Sequence, residues 1–213
     1  MIDIHDPHQH VGGWRDFLTH LTIITIGLFI ALSLEGLVDW FHHRSLVHEA
    51  EASLHAEIQS NANSVTNLQN DIHHQQQELQ HDDTVLDAIL KTGKPPAHDH
   101  MSITFHLSTF DEVSWQTAQE TGALSYMPYK SAETYSDIYT TQEQIARAEE
   151  VGVRDAILSL APFTDPTETG APSAGEARDI KQHIGILLGQ LMLLDSMVKG
   201  LDGEYRQFLK SHP

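Results

Sequence analysis

From Phe17 to Val38 the chain is apolar almost without interruption, FLTHLTIITIGLFIALSLEGLV. These 22 residues contain no Lys, Arg, Asn or Gln. At ~1.5 Å per residue a helix over them spans roughly 33 Å, about the thickness of a hydrocarbon core. Thr19, Thr22, Thr25 and Ser33 can return their hydroxyls to the helix's own carbonyls. Trp14 and Trp40 bracket the run, as interfacial aromatics do. The pattern predicts a transmembrane helix over residues 17–40. A buried core helix of a soluble protein is one competing reading, but so long an apolar run is uncommon in a soluble chain of this length. A cleaved signal peptide is another. Ala31 and Ser33 suit a cleavage site, but the preceding stretch carries Arg15 against Asp3, Asp6 and Asp16, which makes a poor n-region. Gly27, Ala31 and Glu35 stand four apart and share one face, where small residues let a second helix approach closely. Glu35 in that stripe is expected to face protein or to snorkel to the nearby interface. The bolder alternative is a proton or ion site.

Beyond Trp40 the apolar positions become periodic. Ile58, Val65, Ile72, Leu79 and Leu86 recur every seven residues, while the offset positions Asn61, Leu68, Gln75, Asp82 and Ile89 are mixed. No Pro or Gly lies between Asp39 and Lys91, so nothing forces a break and a helix of roughly 50 residues is predicted. The polar offset positions suggest packing inside a wider bundle, or a loosely specified coil. Thr92-Gly93-Lys94-Pro95-Pro96 ends this helix, because glycine supplies a C-cap and the prolines prevent continuation. A short helix is expected over Ser108–Thr121, capped by Ser108 or Thr109 with Asp111 and Glu112 in its first turn, and stopped by Gly122. The next helix starts near Tyr129 to Ser131 and runs towards Leu160. Its buried face is expected to use Tyr135, Ile138, Ile145, Val153, Ala156 and Leu160, with Gly152 as a site of bending. Ala161–Ala174 reads as a loop.

The strongest periodic signal comes last. Ala177, Ile184, Leu191, Val198 and Tyr205 occupy one heptad position, and Ile180, Leu187, Leu194, Leu201 and Phe208 the other. All ten are apolar or aromatic, and Ser173-Ala174-Gly175-Glu176 fits a capping box ahead of them. Ile180, Ile184, Leu187, Leu191, Leu194, Val198 and Leu201 are the expected bundle seam. Lys181, His183, Asp195, Lys199 and Asp202 argue against this helix as a second span. The fold class is therefore all-α: one N-terminal transmembrane helix, then a long helix, then an antiparallel helical bundle or coiled coil. The segments are a flexible polar tail (1–16), the span (17–40), the long heptad-patterned helix (41–92) and the bundle (93–213).

Composition narrows the function. Thirty acids against twelve bases give a net charge of −18, which argues against nucleic acid and against broad docking on anionic lipid. The absence of cysteine excludes disulfides, thiolate catalysis and iron–sulfur or zinc-finger sites. Sixteen histidines remain. His5, His8 and His10 on the tail are candidate metal ligands, since imidazole suits Zn, Ni and Cu, and His20 in the span is a candidate ligand for a metal or a b-type haem. His98 and His100 flank Asp99. His42, His43, His48, His55, His73, His74 and His81 read as a hydrophilic helix face, or as a pH-sensitive one. Glu149-Glu150 and Asp82-Asp83 are read as solvated charge runs. No G-x-S-x-G, H-E-x-x-H or phosphate-binding glycine loop occurs, so no enzyme and no cofactor are expected. Arg15 and Arg44 flank opposite ends of the span and leave the positive-inside count even. The short leading tail and large following domain favour a C-terminal domain outside the cytoplasm.

Two stretches carry a family resemblance: HLTIITIGLFIALSLEGLVDWFHHRSLVHEAEASLHAEI, and Trp115 to Leu124 (WQTAQETGAL) followed by Met127-Pro128. Together, over about a third of the chain, they resemble a family of uncharacterised bacterial single-pass membrane proteins. That resemblance implies a single-pass topology and a bacterial origin, and it carries no assigned activity. With the short tail and large following domain, the expected location is the bacterial inner membrane with a periplasmic C-terminal domain. Trp115, Leu124 and Met127 are expected to plug the bundle where the short helix folds back. The chain thus reads as a membrane-anchored scaffold or accessory subunit, partnered by lipid through 17–40 and by itself or a larger complex. A sensor ectodomain and a histidine-liganded metal or haem subunit are the alternatives.

Overall fold

The computed structural model describes residues 13–94, 96, 110–160 and 172–212. Among these residues the chain is all-helical. Its elements are α1 (Trp14–Thr92), α2 (Val113–Glu120), a 3-10 turn at Ala123–Tyr126, α3 (Tyr129–Leu160) and α4 (Ala174–Ser211). His5, His8, His10, His98 and His100 lie outside the described residues, as does most of the expected loop after Leu160. The chain divides into two compact units, Met1–His48 and Glu49–Pro213.

In the first unit every residue from 14 to 42 is exposed. The polar side chains of the apolar run turn inward on the backbone. The Thr19, Thr22, Thr25 and Ser33 hydroxyls donate to the carbonyls of Arg15, Leu18, Leu21 and Phe29 at 2.7–2.9 Å. A hydroxyl satisfied this way needs no water. Trp14 stacks on Phe17 at one end, and Trp40 meets Phe41 edge-on at the other, with the Arg44 guanidinium 5.3 Å from the Trp40 ring.

The second unit is a helical bundle in which α1 and α4 run antiparallel. His55 meets the His212 carbonyl, His73 meets Asp195, and Asp83 meets Lys181, so residue numbers rise on one helix as they fall on the other. α3 is also antiparallel to α4, with Gln142 against Tyr205 and Asp155 against Gln190. α3 therefore lies parallel to α1, consistent with Glu57 bonding Tyr139.

The ten heptad positions of α4 are buried, none more than 4 % exposed. On α1 both heptad positions are buried, including the polar Asn61, Gln75 and Asp82. Polar side chains thus enter the core at those positions, in keeping with packing inside a wider bundle. α3 buries Tyr135, Ile138, Tyr139, Gln142, Ile145, Glu149 and Ala156, while Val153 is half-buried and Gly152 lies buried within an unbroken helix. Two expectations fall here. Asp82 and Glu149 are not solvated charge runs, since they are 1 % and 2 % exposed. Each occupies a heptad position, shared with Gln75 and Ile89 on α1 and with Gln142 and Ala156 on α3, and helical phase places it inward whatever its charge.

The helix ends follow local chemistry. Gly93 takes a left-handed φ of 72° and its N–H donates to the Ile89 carbonyl, closing α1. Gly122, with φ 74°, ends the turn after α2 and opens the 3-10 turn. Ser173 and Glu176 form a reciprocal capping box at the start of α4.

Candidate functional site

The polar core positions converge where α2 crosses α1 and α3. Asn61 on α1 grips the backbone of Asp111. Its amide nitrogen donates to the Asp111 carbonyl at 2.7 Å, and its amide oxygen accepts from the Asp111 N–H at 2.9 Å. One helical turn earlier, Glu57 is 8 % exposed and holds two donors. The Ser114 N–H donates to Oε2 at 2.7 Å and the Tyr139 hydroxyl to Oε1 at 2.6 Å. A carboxylate from α1 thus satisfies an N-terminal amide of α2.

This arrangement corrects the expected start of α2. The helix begins at Val113, preceded by Asp111 and Glu112 and with no side-chain hydrogen bond at its N-cap, while the expected caps Ser108 and Thr109 lie outside the described residues. Asn61 occupies both backbone groups of Asp111, leaving none for a helical turn. The expected plug is also redistributed. Ala118, Ala123 and Met127 are buried, while Trp115 and Leu124 are half-buried. Small alanines let α2 and the 3-10 turn lie close, and Trp115 stacks on Tyr139 with centroids 4.9 Å apart and planes within 7°.

Tyr205 from α4 completes the cluster. Its hydroxyl accepts from the Gln142 amide at 2.7 Å and hydrogen-bonds Asn61, and Phe110 meets its ring edge-on. Burial first, then the Glu57 carboxylate, raises the Tyr139 phenol well above the ordinary tyrosine range. Burial likewise raises Tyr205. Tyr135 is pushed up to about 12 by burial and by the charge of Glu51. Lys181 is held above the usual lysine range, foremost by its hydrogen bond to Asp83 and also by Asp87. In each case the folded state keeps its proton to higher pH than the unfolded chain. The folded chain then binds more protons, and stability falls as pH rises. The melting temperature of the full chain is expected to drop between pH 10 and about 12, the Tyr135 window. A Tyr135→Phe variant should show a shallower drop over the same range. An equal drop in both would remove Tyr135 from the account.

The other predicted site residues lie elsewhere. His20 is exposed in the first unit with Nδ1 2.8 Å from the Asp16 carbonyl. A carbonyl only accepts, so Nδ1 carries the proton and the lone pair sits on Nε2. Among the described residues no three His, Asp or Glu side chains are grouped to hold a metal ion. Gly27, Ala31 and Glu35 share a face of α1 and are exposed, and a Cβ added at Gly27 meets nothing within 4 Å. Ile180, Ile184, Leu187, Leu191, Leu194, Val198 and Leu201 are buried. The sequence reading missed Glu57, Tyr139 and Gln142. A signal for one of them existed: Gln142 lies seven residues from Tyr135 and from Glu149, inside a heptad column.

Comparison of the chain with protein-family models, with curated proteins and with solved structures yields no match.

Proposed function

We propose that this protein is a non-enzymatic, membrane-anchored helical scaffold or accessory subunit. Residues 17–40 cross the membrane once, and the C-terminal helical unit, with its heptad-packed coiled-coil seams, stands on the periplasmic side of a bacterial inner membrane. The observation that carries the reading is the exposure of the apolar run. Its window has a mean hydropathy of 2.2 and none of it is buried within the chain. Apolar surface on that scale needs lipid or protein to cover it. α4 also contains an apolar window, of mean hydropathy 1.5, but a third of it is buried, and its seam faces the other helices of the bundle.

Two faces suit assembly. One is the Gly27, Ala31 and Glu35 stripe in the span. The other is the outer face of α4, where Ile186, Met192 and Leu193 are exposed alongside Gly185, Gly189, Gly200 and Gly203. Glycine within a helix costs about 1 kcal/mol relative to alanine. A Cβ at any of these four glycines meets nothing within 4 Å, so packing inside the chain does not require them. α4 carries five acids and five bases, Glu176, Asp179, Asp195, Asp202 and Glu204 against Arg178, Lys181, Lys199, Arg206 and Lys210. The net charge of −18 therefore lies off this helix, and two copies meet here with little repulsion.

The native chain has no cysteine, so single-cysteine variants test the face directly. Met192→Cys in membranes is expected to give covalent dimers on mild oxidation, whereas Ser64→Cys, exposed on α1, is expected to stay monomeric. Equal cross-linking at both positions, or none at Met192, would count against self-assembly through α4.

A further inference from the structure

Two of the chain's five tyrosines stand out into solvent, and both lie in one turn. Tyr126 is 51 % exposed and Tyr129 is 81 % exposed, whereas Tyr135, Tyr139 and Tyr205 are buried. Ser125, Pro128 and Lys130 beside them are also exposed, and the buried Met127 pins the turn to the bundle. The turn sits at the end of the bundle that α1 enters. Tyr135, six residues after Tyr129 on α3, lies beside Glu51, and its ring meets Phe208 near the end of α4. Because α3 lies parallel to α1, running back from Tyr135 to Tyr129 leads towards Glu49, the first residue of this unit. Glu49 follows Trp40 by nine residues of α1, ~13 Å of helix. The covalent chain itself therefore tethers this end of the bundle near Trp40.

We infer that the turn from Ser125 to Lys130 docks on the headgroup layer of the bilayer that residues 17–40 cross, an inference that rests on that membrane reading. Tyrosine suits such a layer, with an apolar ring to bury and a hydroxyl that stays wet. The local charge fits as well. The chain's net charge of −18 opposes broad contact with anionic lipid, but residues 121–132 contain no acid and carry Lys130. Lys130 meets Glu133 at 3.3 Å with its side chain 88 % exposed, and an exposed pair of this kind is weak enough for lipid phosphate to compete. A protein partner fits this turn less well. The exposed aliphatic pairs that a protein would cover, Ile157 with Leu158 and Met192 with Leu193, lie at the far end of α3 and on α4.

The test uses the full-length chain with one introduced cysteine carrying a bimane label, reconstituted in phosphatidylethanolamine–phosphatidylglycerol vesicles. The quencher is a lipid with a nitroxide on its headgroup. Ser125→Cys reports the turn. His42→Cys, two residues beyond Trp40, reports the span, and Ser64→Cys, exposed on α1, reports the bundle away from the turn. Quenching is expected at positions 125 and 42 and not at 64. Adding Tyr126→Ser and Tyr129→Ser to the Ser125→Cys chain should cut quenching there at least about twofold, since the interfacial rings are gone. Far-ultraviolet circular dichroism of that chain should be unchanged. Tyr126→Trp with Tyr129→Trp, which keeps interfacial rings, should retain the quenching. Absence of quenching at 125 beside strong quenching at 42 overturns the docking and leaves the anchor standing. Absence at 42 overturns the anchor, and the docking with it. Quenching at 125 that ignores the two serine changes reports the tether alone and overturns the docking. An unquenched label at 125 whose emission shifts to the blue as protein density rises overturns it too, and identifies a second copy as the occupant.

Discussion

Glu57→Ala is expected to destabilise the helical unit by about 3 kcal/mol, the loss of two hydrogen bonds to a charged acceptor with both donors left buried. The donors are the Ser114 N–H and the Tyr139 hydroxyl. Losing the first strips α2 of the acceptor that takes the place of a cap, since no side chain of its own caps it. Losing the second frees a phenol whose ring supports Trp115. Urea denaturation of the full chain followed by far-ultraviolet circular dichroism gives the number. Glu57→Gln separates charge from connectivity. Its amide oxygen still accepts from Ser114, and its nitrogen can donate to the Tyr139 oxygen. It should lose less than half as much as the alanine variant. Equal losses would mean that the negative charge, and not the bridging, fixes α2.

The second large effect is a contrast between neighbours on α4. Leu191 is 1 % exposed and Met192 is 68 % exposed. Leu191→Ala should cost about 2–5 kcal/mol, because a buried methyl pair and the cavity it leaves both count. Met192→Ser should change folding stability by no more than about 0.5 kcal/mol, as exposed positions do. The same Met192→Ser change should weaken self-association, which Leu191→Ala perturbs only through unfolding. If Met192→Ser unfolds the unit, the outer face of α4 is part of the fold and is not a docking surface.

These contrasts also show how far the sequence could be read. The α4 heptads were legible because ten apolar residues repeat at helical phase without exception, and phase alone decides which side of a helix is buried. The polar positions on α1 were legible only as a choice between packing inside a wider bundle and a loosely specified coil. Asn61 is buried because its amide clamps the backbone of Asp111, 50 residues away, and no local pattern announces such a partner. The same clamp explains why α2 starts later than its capping residues suggest. Tertiary hydrogen bonds to Asp111 and Ser114 hold the chain at the start of α2, and no local pattern announces them. Asp82 and Glu149 were misjudged by residue type. Their spacing from Gln75 and Gln142 placed them inward, and periodicity was the better guide. The stacking of Trp115 on Tyr139 needed the structure outright, since it joins side chains of α2 and α3 that no spacing relates.

The central claim is that the chain is an anchored assembly module. The most direct test is the mass of the untagged particle, purified in mild detergent from its native host, recorded together with its absorption spectrum. The account predicts a colourless particle larger than one 23.8 kDa chain, either a small multiple of that mass or a complex containing other chains. A particle of one chain only would contradict assembly, and a Soret band would contradict the scaffold reading and turn attention to the free Nε2 of His20.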